Sequence, residues 1–162
     1  MIEQLKELLQ MQKVLDDNIF KVKGITKYPY DNMAIALLVE LGELMNELPT
    51  KFKHWKTTAV DNREKALVEY VDCLHFALSI TYYQNVYPND TVMINWLDYD
   101  RCRANFEDYS LFEILENIVC SRVAKLEYLL ALGNKLGFTW EEIYNSYIEK
   151  NKVNYVRLKN GY

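Results

Sequence analysis

Residues 61–83 read DNREKALVEYVDCLHFALSITYY, and their apolar side chains point nearly everywhere around a helical wheel. Leu67, Val71, Leu74 and Leu78 cover one side, while Phe76 and Ile80 share another with Glu69. A helix that is apolar all round has no face to give to water and belongs at the centre of a bundle. Asp61 and Glu64 have the spacing of a capping box, which predicts the start of this helix and carries it to about Tyr83.

Outward from that centre, Met33, Leu37, Leu41, Leu44 and Leu48 predict a second helix beginning near Asp31 and ending before Pro49, whose ring disfavours helix in the residue ahead of it. Ile2, Leu5, Leu8, Leu9, Gln12, Leu15 and Ile19 predict a first helix that Gly24 stops. A basic and aromatic loop, Lys51 to Lys56, joins the second helix to the third. Downstream, residues 86–109 break the pattern with Pro88, Asn89 and scattered charges, a length at which a loop is functional or mobile, and the highest mobility is expected there. Ser110 and Glu113 predict a long apolar helix through Leu136, terminated by Gly137, and Thr139 with Glu142 open the last helix. The expectation is one all-α domain, an antiparallel bundle of about five helices.

Composition agrees with that class. The chain has 162 residues, 50% apolar and 26% charged, with only five glycines and three prolines. No run approaches the ~18 uncharged apolar residues of a membrane span, and the N-terminus is charged where a signal peptide would be apolar, so a cytoplasmic protein without membrane partners is expected. Cys73, Cys102 and Cys120 lack paired spacing and suggest neither disulfides nor a zinc cluster, and His54 and His75 do not change this. A net charge of −4 argues against a polymeric nucleic acid partner but not against a small phosphate ligand held locally.

Two acidic pairs carry the chemistry: Glu40 with Glu43, and Glu69 with Asp72. Spacing alone is weak evidence, because 23 acids in 162 residues give roughly three such pairs by chance. Position is more telling. Glu69 lies between Phe76 and Ile80 on the wheel, and Glu40 lies between Ala36 and Leu44, so these acids share arcs with core residues. Unpaired carboxylates there cost several kcal/mol and repel one another unless cations neutralise them or protons do. Oxygen ligands without Cys or His suit Mg²⁺ or Mn²⁺, and such sites serve phosphoryl chemistry. The competing reading is an ordinary solvated helix face, with Lys65 pairing Glu69. Glu47 extends the stripe beyond Glu43, as a base behind the ligands, with a further ligand or a solvated acid as the alternatives. His75 is read as a satisfied core histidine, with orientation of a site carboxylate as the alternative.

The strings LLVELGE at 37–43 with Asn46-Glu47, and EYVDCLHF at 69–76, together closely resemble the dimeric all-α dUTPases of phages, some bacteria and trypanosomatids, within the wider MazG-like pyrophosphohydrolases. Met11-Gln12 with Leu15-Asp16, and Tyr147, Lys150-Asn151, Asn154, Arg157 and Gly161-Tyr162, resemble that family's first and last motifs. The resemblance implies a homodimer that hydrolyses dUTP, and dUDP as well, to dUMP. It implies Glu40, Glu43, Glu69 and Asp72 as ligands of Mg²⁺, two or more ions with substrate bound, and a metal-held water that attacks the phosphate chain. It also implies Gln12, Asp16 and Asn154 at the uracil or deoxyribose, Trp55 beside the base or sugar and Lys53 near phosphate. Lys150, Asn151, Arg157 and Tyr162 belong to a terminal segment, 147–162, that closes over the substrate. Leu158 replaces a Gln common in the motif, Pro49 and Thr50 lengthen the Trp55 loop by one residue, and 86–109 has the character of an insertion. Two other readings stay open: a MazG-like enzyme for another nucleotide, and a helical interaction module descended from the enzyme. Docking of a regulatory protein on the same surface is a further open reading.

Overall fold

A computed structural model describes residues 2–85, 106–121 and 125–161. Among them are six α-helices: α1 (Ile2–Lys23), α2 (Tyr30–Glu47), α3 (Arg63–Asn85), α4 (Leu111–Cys120), α5 (Lys125–Lys135) and α6 (Trp140–Lys159), with a 3₁₀ turn at Pro49–Lys51. The fold is all-α. The α3 helix is its axis: Ala66, Tyr70, Val71, Cys73, Leu74, Ala77, Leu78 and Ile80 are fully buried, and α1, α2, α5 and α6 all pack against it. No helix among the described residues is long and apolar enough to cross a membrane. Cys73 and Cys120 are free thiols.

The helix ends follow the local chemistry. Gly24 at φ 67° and Gly137 at φ 77° close α1 and α5 with paired reverse hydrogen bonds: Ile25 N–H to Phe20 O at 2.8 Å and Gly24 N–H to Lys21 O at 3.4 Å in one, Phe138 N–H to Gly133 O at 2.9 Å and Gly137 N–H to Asn134 O at 3.0 Å in the other. That pattern needs a left-handed residue, which glycine supplies without strain. Ser110 with Glu113 and Thr139 with Glu142 form the expected capping boxes. At the start of α3 the cap differs from expectation. Asn62 Oδ1 accepts from Lys65 N–H at 3.1 Å, while Asp61 accepts from the Thr50 backbone and hydroxyl at 2.9 and 2.6 Å. Asp61 therefore pins the base of the 48–62 loop instead of capping the helix.

A second correction concerns the single helix expected over 110–136. Ser121 is extended, at φ −68° and ψ 135°, and ends α4, after which α5 packs against α4. Lys125 explains how the break is tolerated. Its Nζ donates to the carbonyls of Ile118 at 2.6 Å and Val119 at 3.0 Å, satisfying acceptors that the helix end leaves open. The bundle thus has six described helices where about five were expected. On the other side of α5, Gly133 meets Tyr70 of α3 so closely that a Cβ would lie 2.6 Å from the phenolic oxygen, and Tyr70 donates to Leu129 O at 2.9 Å. Of the loop expected at 86–109, residues 86–105 lie outside the described residues. Its end does not float: Phe106 packs on Tyr109 and Tyr128 with ring centroids at 5.1 and 4.6 Å.

Candidate active site

The α2 and α3 helices bring Glu40, Glu43 and Glu69 together, with one oxygen from each within 4.8 Å of the others. Oxygens bound to one Mg²⁺ at ~2.1 Å stand no more than about 4.2 Å apart, so the cluster is close to the size of a coordination sphere. Burial and then the charges of Asp72, Glu43 and Glu69 push the Glu40 carboxyl up to about 7, against the opposing pull of Lys150. Burial, then Asp72 and Glu43, raise Glu69 in the same sense. A cation among these carboxylates would relieve both the burial of their charge and their mutual repulsion. Asp72 stands beside the three and is engaged by the Lys150 ammonium from α6, so one lysine already neutralises one of the four acids. The donor set therefore fits a hard divalent ion, with Lys150 as an internal counter-charge.

One turn further along α3 and α6 lies a cavity of ≈ 230 Å³ lined by residues that include Gln12, Asp16, Met33, His75, Phe76 and Asn154. Four residues advance a helix by ~6 Å, so the step from Asp72 to Phe76 and from Lys150 to Asn154 leads from the acids into this cavity. Its polar wall is a chain of hydrogen bonds. Tyr147 donates to Gln12 Oε1 at 2.8 Å, and Gln12 Nε2 donates to Asp16 Oδ1 at 2.8 Å. Gln12 and Asp16 are buried in the apolar stripe of α1, where nothing but a ligand or a neighbouring polar group repays their desolvation. Burial lifts the Asp16 carboxyl to about 6, partly countered by nearby Ser79 and Gln12.

A dUTPase family model matches residues 4–162. The chain belongs to the all-α dUTPase family. No curated protein matches it. As a dUTPase it hydrolyses dUTP.

The other expected site residues are distributed as follows. Asn154 joins Gln12 and Asp16 in the cavity. Asn151 does not; it is buried and lines a separate groove with Glu7, Gln10, Met11, Val14 and Tyr155. Arg157 lines a space of ≈ 330 Å³ with Ile19, Asn154 and Leu158, beside the cavity rather than beside the acids. Lys53 and Trp55 line neither; Trp55 is 67% exposed at the tip of the loop that Asp61 pins, with His54 and Phe52 edge-on to its ring at 4.9 and 6.5 Å. Tyr162 lies outside the described residues. Sequence reasoning missed His75 as a cavity residue and Tyr147 as the group that fixes Gln12. A histidine and a tyrosine at core positions were the available signal, but which polar groups meet them depends on how α1, α3 and α6 pack.

Proposed function

We propose that this dUTPase binds Mg²⁺, with Mn²⁺ as a substitute, through Glu40, Glu43, Glu69 and Asp72, two or more ions with substrate bound, and converts dUTP and also dUDP to dUMP. The observation that carries the reading is the convergence of three carboxylates from two helices within 4.8 Å, one helical turn from a base-sized cavity. A divalent ion there supplies Lewis-acid polarisation of phosphate oxygens and an acidified water.

The chain's own groups do the rest. Gln12 and Asn154 offer amides that match both donor and acceptor edges of uracil, and Tyr147 holds Gln12 in one orientation. Asp16 keeps the Gln12 amide turned toward it. Lys150 pairs with Asp72 and would turn to the substrate phosphates were that carboxylate to hold a divalent ion, so its charge would keep a partner in either state. Arg157 and Tyr162, at the end of the chain, close on the phosphates, with Arg157 able to donate two parallel hydrogen bonds. Asn151, in its separate groove with Tyr155, belongs to the same terminal segment, and the pinned loop carries Lys53 and Trp55 over the nucleotide. A second copy completes the molecule: α2 turns Ile35, Leu38 and Val39 outward at 60, 45 and 52% exposure, an apolar stripe suited to a homodimer interface.

Pyrophosphate release from a panel of deoxynucleoside triphosphates, with and without Mg²⁺, tests the reading. Release should be fastest from dUTP and should stop when the ion is chelated. Equal release from all four common deoxynucleotides, or release that survives chelation, would overturn it.

A further inference from the structure

His75 is 5% exposed, and its Nδ1 stands 2.8 Å from the carbonyl oxygen of Val71. A carbonyl only accepts, so Nδ1 carries the proton and Nε2 presents a lone pair. Tyr147 stacks on the ring at 4.2 Å and 18°, which prevents the imidazole from turning to another partner. Nε2 has no hydrogen-bond partner, and neither has Asp16 Oδ2. Both residues line the ≈ 230 Å³ cavity. Burial keeps the imidazole neutral, depressing its pKa to about 4, so the ring does not become a donor at neutral pH. A buried acceptor without a donor is costly, and the cavity beside it is where a donor can enter.

We propose that His75 is a specificity-determining residue, whose Nε2 accepts a hydrogen bond from a neutral O–H or N–H donor of the bound deoxyuridine. This rests on the cavity being the nucleoside site. Deoxyuridine offers two such donors, the 3′-hydroxyl and the base N3–H, and the cavity offers two unpartnered acceptors. His75 stands one turn from Asp72, on the side nearer the phosphates, which favours the sugar hydroxyl for Nε2 and leaves the imide to Asp16. Cytosine carries an acceptor at N3 and would face Asp16 with a lone pair, so Asp16 selects against it, while His75 selects for the 3′-hydroxyl that every deoxynucleoside carries.

Calorimetric titration with dUMP, 2′,3′-dideoxyuridine monophosphate and N3-methyl-dUMP, in saturating Mg²⁺, tests this on the wild type, His75→Phe and His75→Gln. Phenylalanine keeps the stack on Tyr147 and removes the acceptor; glutamine keeps an acceptor oxygen. In the wild type, loss of the partnered donor should weaken binding about tenfold or more. In His75→Phe that same analogue should bind as well as dUMP does, and His75→Gln should regain part of the discrimination. Of the losses seen in the wild type, the one that His75→Phe abolishes identifies the donor to Nε2: the sugar hydroxyl if it is the dideoxy compound's, the imide if it is the N3-methyl compound's. The proposal is overturned if each analogue loses the same factor in wild type and His75→Phe, or if the wild type binds all three ligands equally, a result that stands even should a variant misfold. No binding of dUMP by the wild type overturns the cavity's assignment together with the proposal.

Discussion

His75 shows how one side chain can serve stability and recognition in opposite directions. Its pKa of about 4 in the fold lies below the ~6.5 of an unfolded histidine, so the unfolded chain binds more protons between those values. The stability contributed by the neutral ring is therefore full above about pH 6.5 and is lost as pH falls toward 4, by up to ~3 kcal/mol. Asp16 works the other way, because its carboxyl is raised to about 6 and the folded form gains protons on acidification. The two must be separated by difference. Thermal midpoints of wild type and His75→Phe should diverge as pH is lowered from 7.5 to 4.5, the wild type losing more; parallel curves would show that the ring is not held neutral by burial. None of this was legible in the sequence. A histidine on an apolar helix is most simply read as a satisfied core residue, and only the packing of Tyr147 and Val71 around it reveals which nitrogen is left over. The convergence of three acids was legible from wheel positions shared with the core, but their depth was not: Glu40 and Glu69 are half-buried and Glu43 is exposed.

Among the elements, caps and stops were readable wherever a local rule acts alone: the Ser110 and Thr139 boxes and the glycines at 24 and 137 fall where expected. The break between α4 and α5 was not readable, because neither Gly nor Pro marks it and the apolar spacing of Ile114, Ile118, Leu126, Leu129 and Leu130 runs across it. What the pattern hides is Lys125, a charged residue at a core position, buried so that its ammonium can serve two carbonyls of the preceding helix. Replacement by methionine keeps the apolar stem and leaves both carbonyls open. Lys125→Met should lower stability by about 1–3 kcal/mol, read as a drop in the denaturation midpoint, with kcat and KM for dUTP unchanged. A variant as stable as the wild type would show that other groups satisfy the end of α4. The misplaced cap at α3 has a similar origin: Asp61 and Asn62 are both good capping residues, and the choice between them was made by Thr50, across a loop.

At the scale of the whole molecule, the outward stripe of Ile35, Leu38 and Val39 on α2 lies on the helix that supplies Glu40 and Glu43 from its other faces. Assembly through α2 would therefore couple the interface to the metal cluster. Sedimentation should give twice the 19.2 kDa chain mass at micromolar concentration, and Leu38→Glu, which places a charge in the stripe, should shift the protein to monomer and cut activity at least tenfold. A fully active monomer would remove dimerisation from the account. The account as a whole rests on one cluster of mutually repelling acids, half-buried at Glu40 and Glu69 and exposed at Glu43, proposed to hold a cation beside a nucleoside cavity. Its most direct test is kcat for dUTP at saturating Mg²⁺ in Glu40→Gln and Asp72→Asn, with helical content measured on the same samples. Both variants should keep the fold and lose ~10²-fold or more in turnover, and Glu40→Gln should raise the thermal midpoint of the metal-free protein by relieving repulsion. Near-wild-type turnover in either correctly folded variant would contradict the assignment.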